Sequence, residues 1–69
     1  MRAEALTHFR DAVRMNPDFA EARNNLGLAL AEEGKLAEAA EQFRRAAALN
    51  PDWQDARRNL EQALRLLGR

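Results

Sequence analysis

The chain has 69 residues with 11 basic and 11 acidic side chains, a net charge of zero with histidine neutral, and the two signs are interspersed along it. A nucleic-acid binder needs a net basic face, which this balance does not supply; cysteine is absent, so no disulfide framework exists, and a lone His8 makes no conventional zinc site. No apolar run approaches the roughly 20 residues that span a bilayer and no charged-then-apolar leader opens the chain, so the expectation is a cytoplasmic protein without metal, cofactor, membrane or nucleic-acid partner.

The first helix is expected over about Arg2 to Met15, where Ala5, Leu6, Phe9, Ala12 and Val13 recur at helical spacing. Asn16-Pro17 ends it, because a residue before proline is steered out of the helical region. Asp18 then stands as the expected N-cap of a second helix, with Glu21 three residues on in a capping-box relation. That helix runs to about Glu33 with Ala22, Leu26, Ala29 and Leu30 inward, and Gly34 supplies a left-handed close.

The third helix spans about Leu36 to Leu49, with Leu36, Ala39, Ala40, Phe43, Ala46 and Ala47 as its stripe and Glu41 with Arg45 as an exposed i,i+4 pair. Asn50-Pro51 stops it. Asp52 is the expected cap of a fourth helix, 53–67, which turns Ala56, Leu60, Ala63 and Leu64 inward and frays towards Gly68. Connections this short force successive helices to lie antiparallel. Phe19 and Trp53 are expected to pack across the turns as structural anchors.

The elements are copies. Asn16-Pro17-Asp18-Phe19 returns 34 residues on as Asn50-Pro51-Asp52-Trp53, and Ala5, Phe9, Ala12, Ala22, Asn25, Leu26, Ala29, Leu30 and Gly34 return at the same offset. A period in this range marks stacked helical units, none of which buries its apolar face alone. The run Leu26-Gly27, then Gly34, Ala39, Phe43, Ala46 and Pro51, resembles the tetratricopeptide repeat, and the resemblance covers nearly the whole chain. It implies an all-α fold of antiparallel helix hairpins, four helices forming a short right-handed solenoid.

By the family's phase the chain opens on a second-type helix, 2–15, holds one complete repeat, 20–53, and closes on a first-type helix. Such a phase suits a piece of a longer array or an engineered minimal unit. Two departures stand out: Arg23 and Arg57 occupy the place where the family often has tryptophan, and Glu61 follows Leu60 where Gly27 follows Leu26.

The resemblance implies a protein-interaction module, with a protein or peptide partner held in a concave groove lined mainly by first-type helices. The residues expected to face it are Glu21, Asn24, Asn25, Leu28 and Glu32 on the second helix, and Asp55, Arg58, Asn59, Gln62 and Leu66 on the fourth. Asn25 and Asn59 are singled out, since a carboxamide both donates and accepts and so can hold a peptide main chain whatever its side chains. Asparagines at the matching place form such a ladder in proteins similar to O-linked N-acetylglucosamine transferases. A carboxylate clamp is disfavoured, because Glu21 and Asp55 stand where it wants basic residues.

Catalysis is not expected, as the chain has no cysteine, tyrosine, phosphate-cradling glycine loop or nucleophile beside a base. The alternative class is self-assembly. Leu60, Leu64, Leu66 and Leu67 on the fourth helix invite cover, and the first helix of another copy is of the type that would provide it, which favours a homo-oligomer, foremost a dimer formed head to tail or by helix exchange.

Overall fold

Two Asn-Pro-Asp-aromatic turns and one glycine turn divide the chain into four helices. In the structure, a computed structural model that describes residues 2–68, these are α1 (Arg2–Met15), α2 (Ala20–Glu32), α3 (Leu36–Leu49) and α4 (Gln54–Leu67). The fold is all-α.

The two proline turns have the same construction. Asn16 and Asn50 leave the helical region ahead of Pro17 and Pro51, and the N–H of Phe19 and of Trp53 bonds back to the Asn16 and Asn50 carbonyls at 3.1 and 3.0 Å. The aspartates are therefore inside the turns and do not cap. Phe19 and Trp53 are the N-cap residues, both extended at φ near −84° and neither making a side-chain cap bond, which corrects the expectation for Asp18 and Asp52 and places α4 from Gln54. The arginines on the first turn of each following helix secure these turns instead: Arg23 Nε donates to the Pro17 carbonyl at 3.1 Å and Arg57 Nη1 to the Pro51 carbonyl at 3.5 Å.

The glycine turn works as expected. Gly34 sits at φ 80°, its N–H bonds the Ala31 carbonyl at 3.0 Å, and the Lys35 N–H reaches the Leu30 carbonyl at 2.9 Å, the paired bonds that close a helix through a left-handed residue. Gly68, its copy, instead sits at φ −75° as the C-cap of α4.

Each helix packs on the next, and α2 also meets α4, giving a slab of 31 × 27 × 14 Å. The core runs through α2 and α3: Leu26, Leu30, Ala39, Phe43 and Ala46 are buried, with Val13 from α1 and Ala56 and Ala63 from α4 closing its two sides. Because α2 is covered by α1, α3 and α4, it buries residues around most of its circumference. Its counterpart α4 buries only Ala56 and Ala63.

Close approach of α2 and α3 rests on one position. Gly27 lies under the Phe43 ring so tightly that a Cβ there would stand 2.5 Å from Cε1 and 2.7 Å from Cδ1. No side chain larger than glycine fits without moving the ring or the helix.

Candidate functional site

Between α2 and α4 the slab carries a groove of about 400 Å³. Its floor is Leu36 and Phe43 of α3 with Ala63 of α4; Leu28, Ala31 and Glu32 form the α2 wall, and Asn59, Gln62 and Leu66 the α4 wall. The period explains the pairing of the walls, since Gln62 and Leu66 are the copies of Leu28 and Glu32 and the same helix face turns to the same space. Most of the lining is aliphatic or aromatic. The polar groups stand on the rim.

Asn59 is held in place from beneath. Its Nδ2 donates to Oδ1 of Asn24 at 3.0 Å, and Asn24 is only 6% exposed. One N–H of Asn59 is used in this bond, while its second N–H and its carbonyl oxygen remain as donor and acceptor at the groove wall. No buried side-chain polar atom among the described residues lacks a partner.

The expected groove residues thus separate. Leu28, Asn59 and Gln62 line the groove together with Glu32 and Leu66. Asn24 is a buried support and not a contact residue. Asn25 is half-buried on α2 and lies outside this lining, so the pair across the α2–α4 boundary is Asn24 with Asn59, 35 residues apart, and not the two copies.

Glu21 lies at the other end of α2, beside Phe19, Asn50 and Trp53 around a separate shallow cleft. Phe19 and Trp53 border that cleft without stacking on each other; the ring pair present among the described residues is His8 with Phe9, 5.7 Å apart and edge to face. Phe19 is 46% exposed and is less of an anchor than expected. Asp55 and Arg58 pair with one another at 3.6 Å on an exposed side of α4, and Arg58 borders a depression with Gln54, Arg57 and Glu61.

The leucines proposed for self-association also divide. Leu60 packs against the core and Leu66 lines the groove, both partly buried, whereas Leu64 and Leu67 are 53% and 46% exposed. What sequence reading missed is the floor: Leu36, Phe43 and Ala63, read as inward-facing core residues, also lie at the base of the groove.

The profile of the tetratricopeptide repeat family matches residues 2–52. The chain belongs to that family. Tetratricopeptide repeats are in general protein–protein interaction modules and typically non-catalytic. No curated protein matches this chain. Among the described residues of this tetratricopeptide chain no helix is long and apolar enough to cross a membrane, and no three acidic, histidine or cysteine side chains gather as a metal site.

The strongest electrostatic feature lies away from the groove. Glu41 on α3 accepts from Arg44 and, at 2.8 Å, from Arg45, and these two hydrogen bonds hold its carboxyl below the usual carboxylate range. The groove itself offers an apolar lining and the braced carboxamide of Asn59.

Proposed function

We propose that this protein captures a short peptide segment of a partner protein in the groove between α2 and α4, without catalysis. The observation that carries the reading is the α4 wall. Asn59, braced by buried Asn24, and Gln62 present two carboxamides above a floor of Leu36, Phe43 and Ala63. An extended peptide would seat one apolar side chain on that floor and give its main-chain N–H and C=O to the two carboxamides. Affinity then comes from the seated side chain, and orientation from the amides.

The test is a random peptide library displayed against the intact chain, followed by titration of selected peptides with variants. Gln62→Ala removes a groove hydrogen bond and is expected to weaken binding about tenfold, the worth of roughly 1.4 kcal/mol. Leu66→Glu places a charge over the floor and is expected to weaken it further. Asp55→Ala, outside the groove, should leave affinity unchanged. Selected peptides that bind both groove variants as well as wild type would refute the assignment.

A further inference from the structure

The two Asn-Pro-Asp-aromatic turns share a shallow cleft whose parts suit one kind of side chain. Phe19, Ala20 and Glu21 border it from the first turn and the start of α2, Asn50 and Trp53 from the second turn. The two rings do not stack on each other, and no basic side chain lines the cleft. Arg23 and Arg57, the arginines that follow these turns, are held at the Pro17 and Pro51 carbonyls instead.

The 34-residue period singles out Glu21. Its copy Asp55 pairs with Arg58 three residues on, at 3.6 Å. The copy of Arg58 is Asn24, whose carboxamide is buried and bonded to Asn59, and exposed Glu21 makes no ion pair among the described residues. A carboxylate in this position beside two aromatic rings attracts a cation twice over, through its charge and through the ring quadrupoles. Asn50 adds a carbonyl acceptor where α3 ends, with the negative end of that helix's dipole, while Glu21 offsets the positive end of α2. Arginine suits an open cleft of this kind, because its planar guanidinium can lie against a ring and still present a fork of N–H groups to a carboxylate.

The cleft and the groove lie on one face of α2. Glu21 borders the first, Leu28 and Glu32 the second, and their spacing of i, i+7 and i+11 forms a single stripe. At about 1.5 Å of rise per residue they are roughly 10 to 16 Å apart along the helix, a span that an extended peptide at about 3.3 Å per residue covers in about three to five residues.

We propose that the cleft of Phe19, Glu21, Asn50 and Trp53 is a second subsite for the peptide held between α2 and α4, and that it takes an arginine about three to five residues from the apolar side chain seated in the groove. The proposal rests on the peptide-capture reading and narrows it to basic segments.

The test displays a random peptide library against the intact chain and against its Glu21→Gln, Asp55→Asn and Leu66→Glu variants. Wild type is expected to enrich arginine at that spacing from a leucine or phenylalanine. Glu21→Gln should keep the apolar preference and lose the arginine, Asp55→Asn should keep both, and Leu66→Glu should lose the apolar preference. A selected peptide is then titrated with its arginine replaced by citrulline, which has nearly the same shape without the charge; wild type is expected to bind it about fivefold more weakly, and Glu21→Gln to bind the two peptides alike. Trp53, the only tryptophan, reports the contact through a change in emission that the citrulline peptide reduces. Apolar enrichment without arginine, or arginine peptides that bind Glu21→Gln as tightly as wild type, overturns the subsite and leaves the groove reading standing. No enrichment by wild type, or enrichment that survives Leu66→Glu unchanged, defeats the groove reading, and the subsite falls with it.

Discussion

A buried carboxamide is costly unless its partners are kept, and Asn24 shows how this protein keeps them. It is 6% exposed in a core otherwise made of alanine, leucine, valine, phenylalanine and one glycine, and its Oδ1 is met by Asn59 from α4. Asn59→Ala therefore does more than remove one bond: it leaves an acceptor near the core without its donor, at a cost of about 1–3 kcal/mol. In a double-mutant cycle, Asn24→Ala with Asn59→Ala is expected to cost less than the two single changes added together, as read from urea denaturation midpoints. Strict additivity would mean that the bond carries no coupling. This pair was illegible in the sequence because the period directed attention to Asn25 and Asn59, which are copies. The structural partner is offset from the copy by one residue, and only the crossing of α2 and α4 brings it there.

The ionisation of Glu41 is tied to the folded state. Its carboxyl is lowered from the ordinary value of 4.5 by the Arg44 and Arg45 hydrogen bonds, so folding favours the ionised form. The sign follows from linkage: the contribution is fully present above the unfolded pKa and is lost as pH falls through the lower, folded value. Melting curves taken from pH 7 down to pH 3 are expected to show a smaller acid-side loss for Glu41→Gln than for wild type. The effect is modest, because the group is solvent-facing and screened by salt.

At the scale of helices, the apolar spacing and the Asn-Pro and glycine punctuation were enough to place all four elements, with α1 and α3 at the bounds read from the residues. The starts of α2 and α4 were misplaced for a local reason. An aspartate after proline ahead of a helix has the composition of an N-cap, but the Asn-Pro-Asp-aromatic turn uses it as a central residue and moves the cap to Phe19 and Trp53. The alanines of α3 supply the sharper test at this scale. Ala46 is fully buried while Ala48, two residues on, is exposed. Ala46→Leu is expected to cost about 1–3 kcal/mol by overpacking, and Ala48→Leu to stay within about 0.5 kcal/mol. Equal shifts in thermal midpoint would mean that α3 is not seated on the face assigned to it.

Across the whole molecule, stability is distributed as in a stack, where each element depends on its immediate neighbours. The helix α2 has three neighbours, α3 has two, and α1 is held by α2 with Val13 as its buried contact. With no disulfide and no metal site among the described residues, no covalent or metal cross-link offsets loss of a neighbour. Native-state hydrogen exchange is accordingly expected to rank the helices, with the central amides of α2 exchanging only through global unfolding and those of α1 through a cheaper local opening. Low denaturant should accelerate α2 amides steeply and leave α1 amides nearly flat. Uniform exchange across the four helices would sink this picture. The ranking also bears on the groove, because its two walls belong to elements of different rigidity: α2 is fixed on three sides, whereas α4 rests on α3 and on the Asn24–Asn59 bond. A ligand that bridges both walls therefore gains from holding α4 against α2, and its binding is expected to slow exchange in α4 more than in α2.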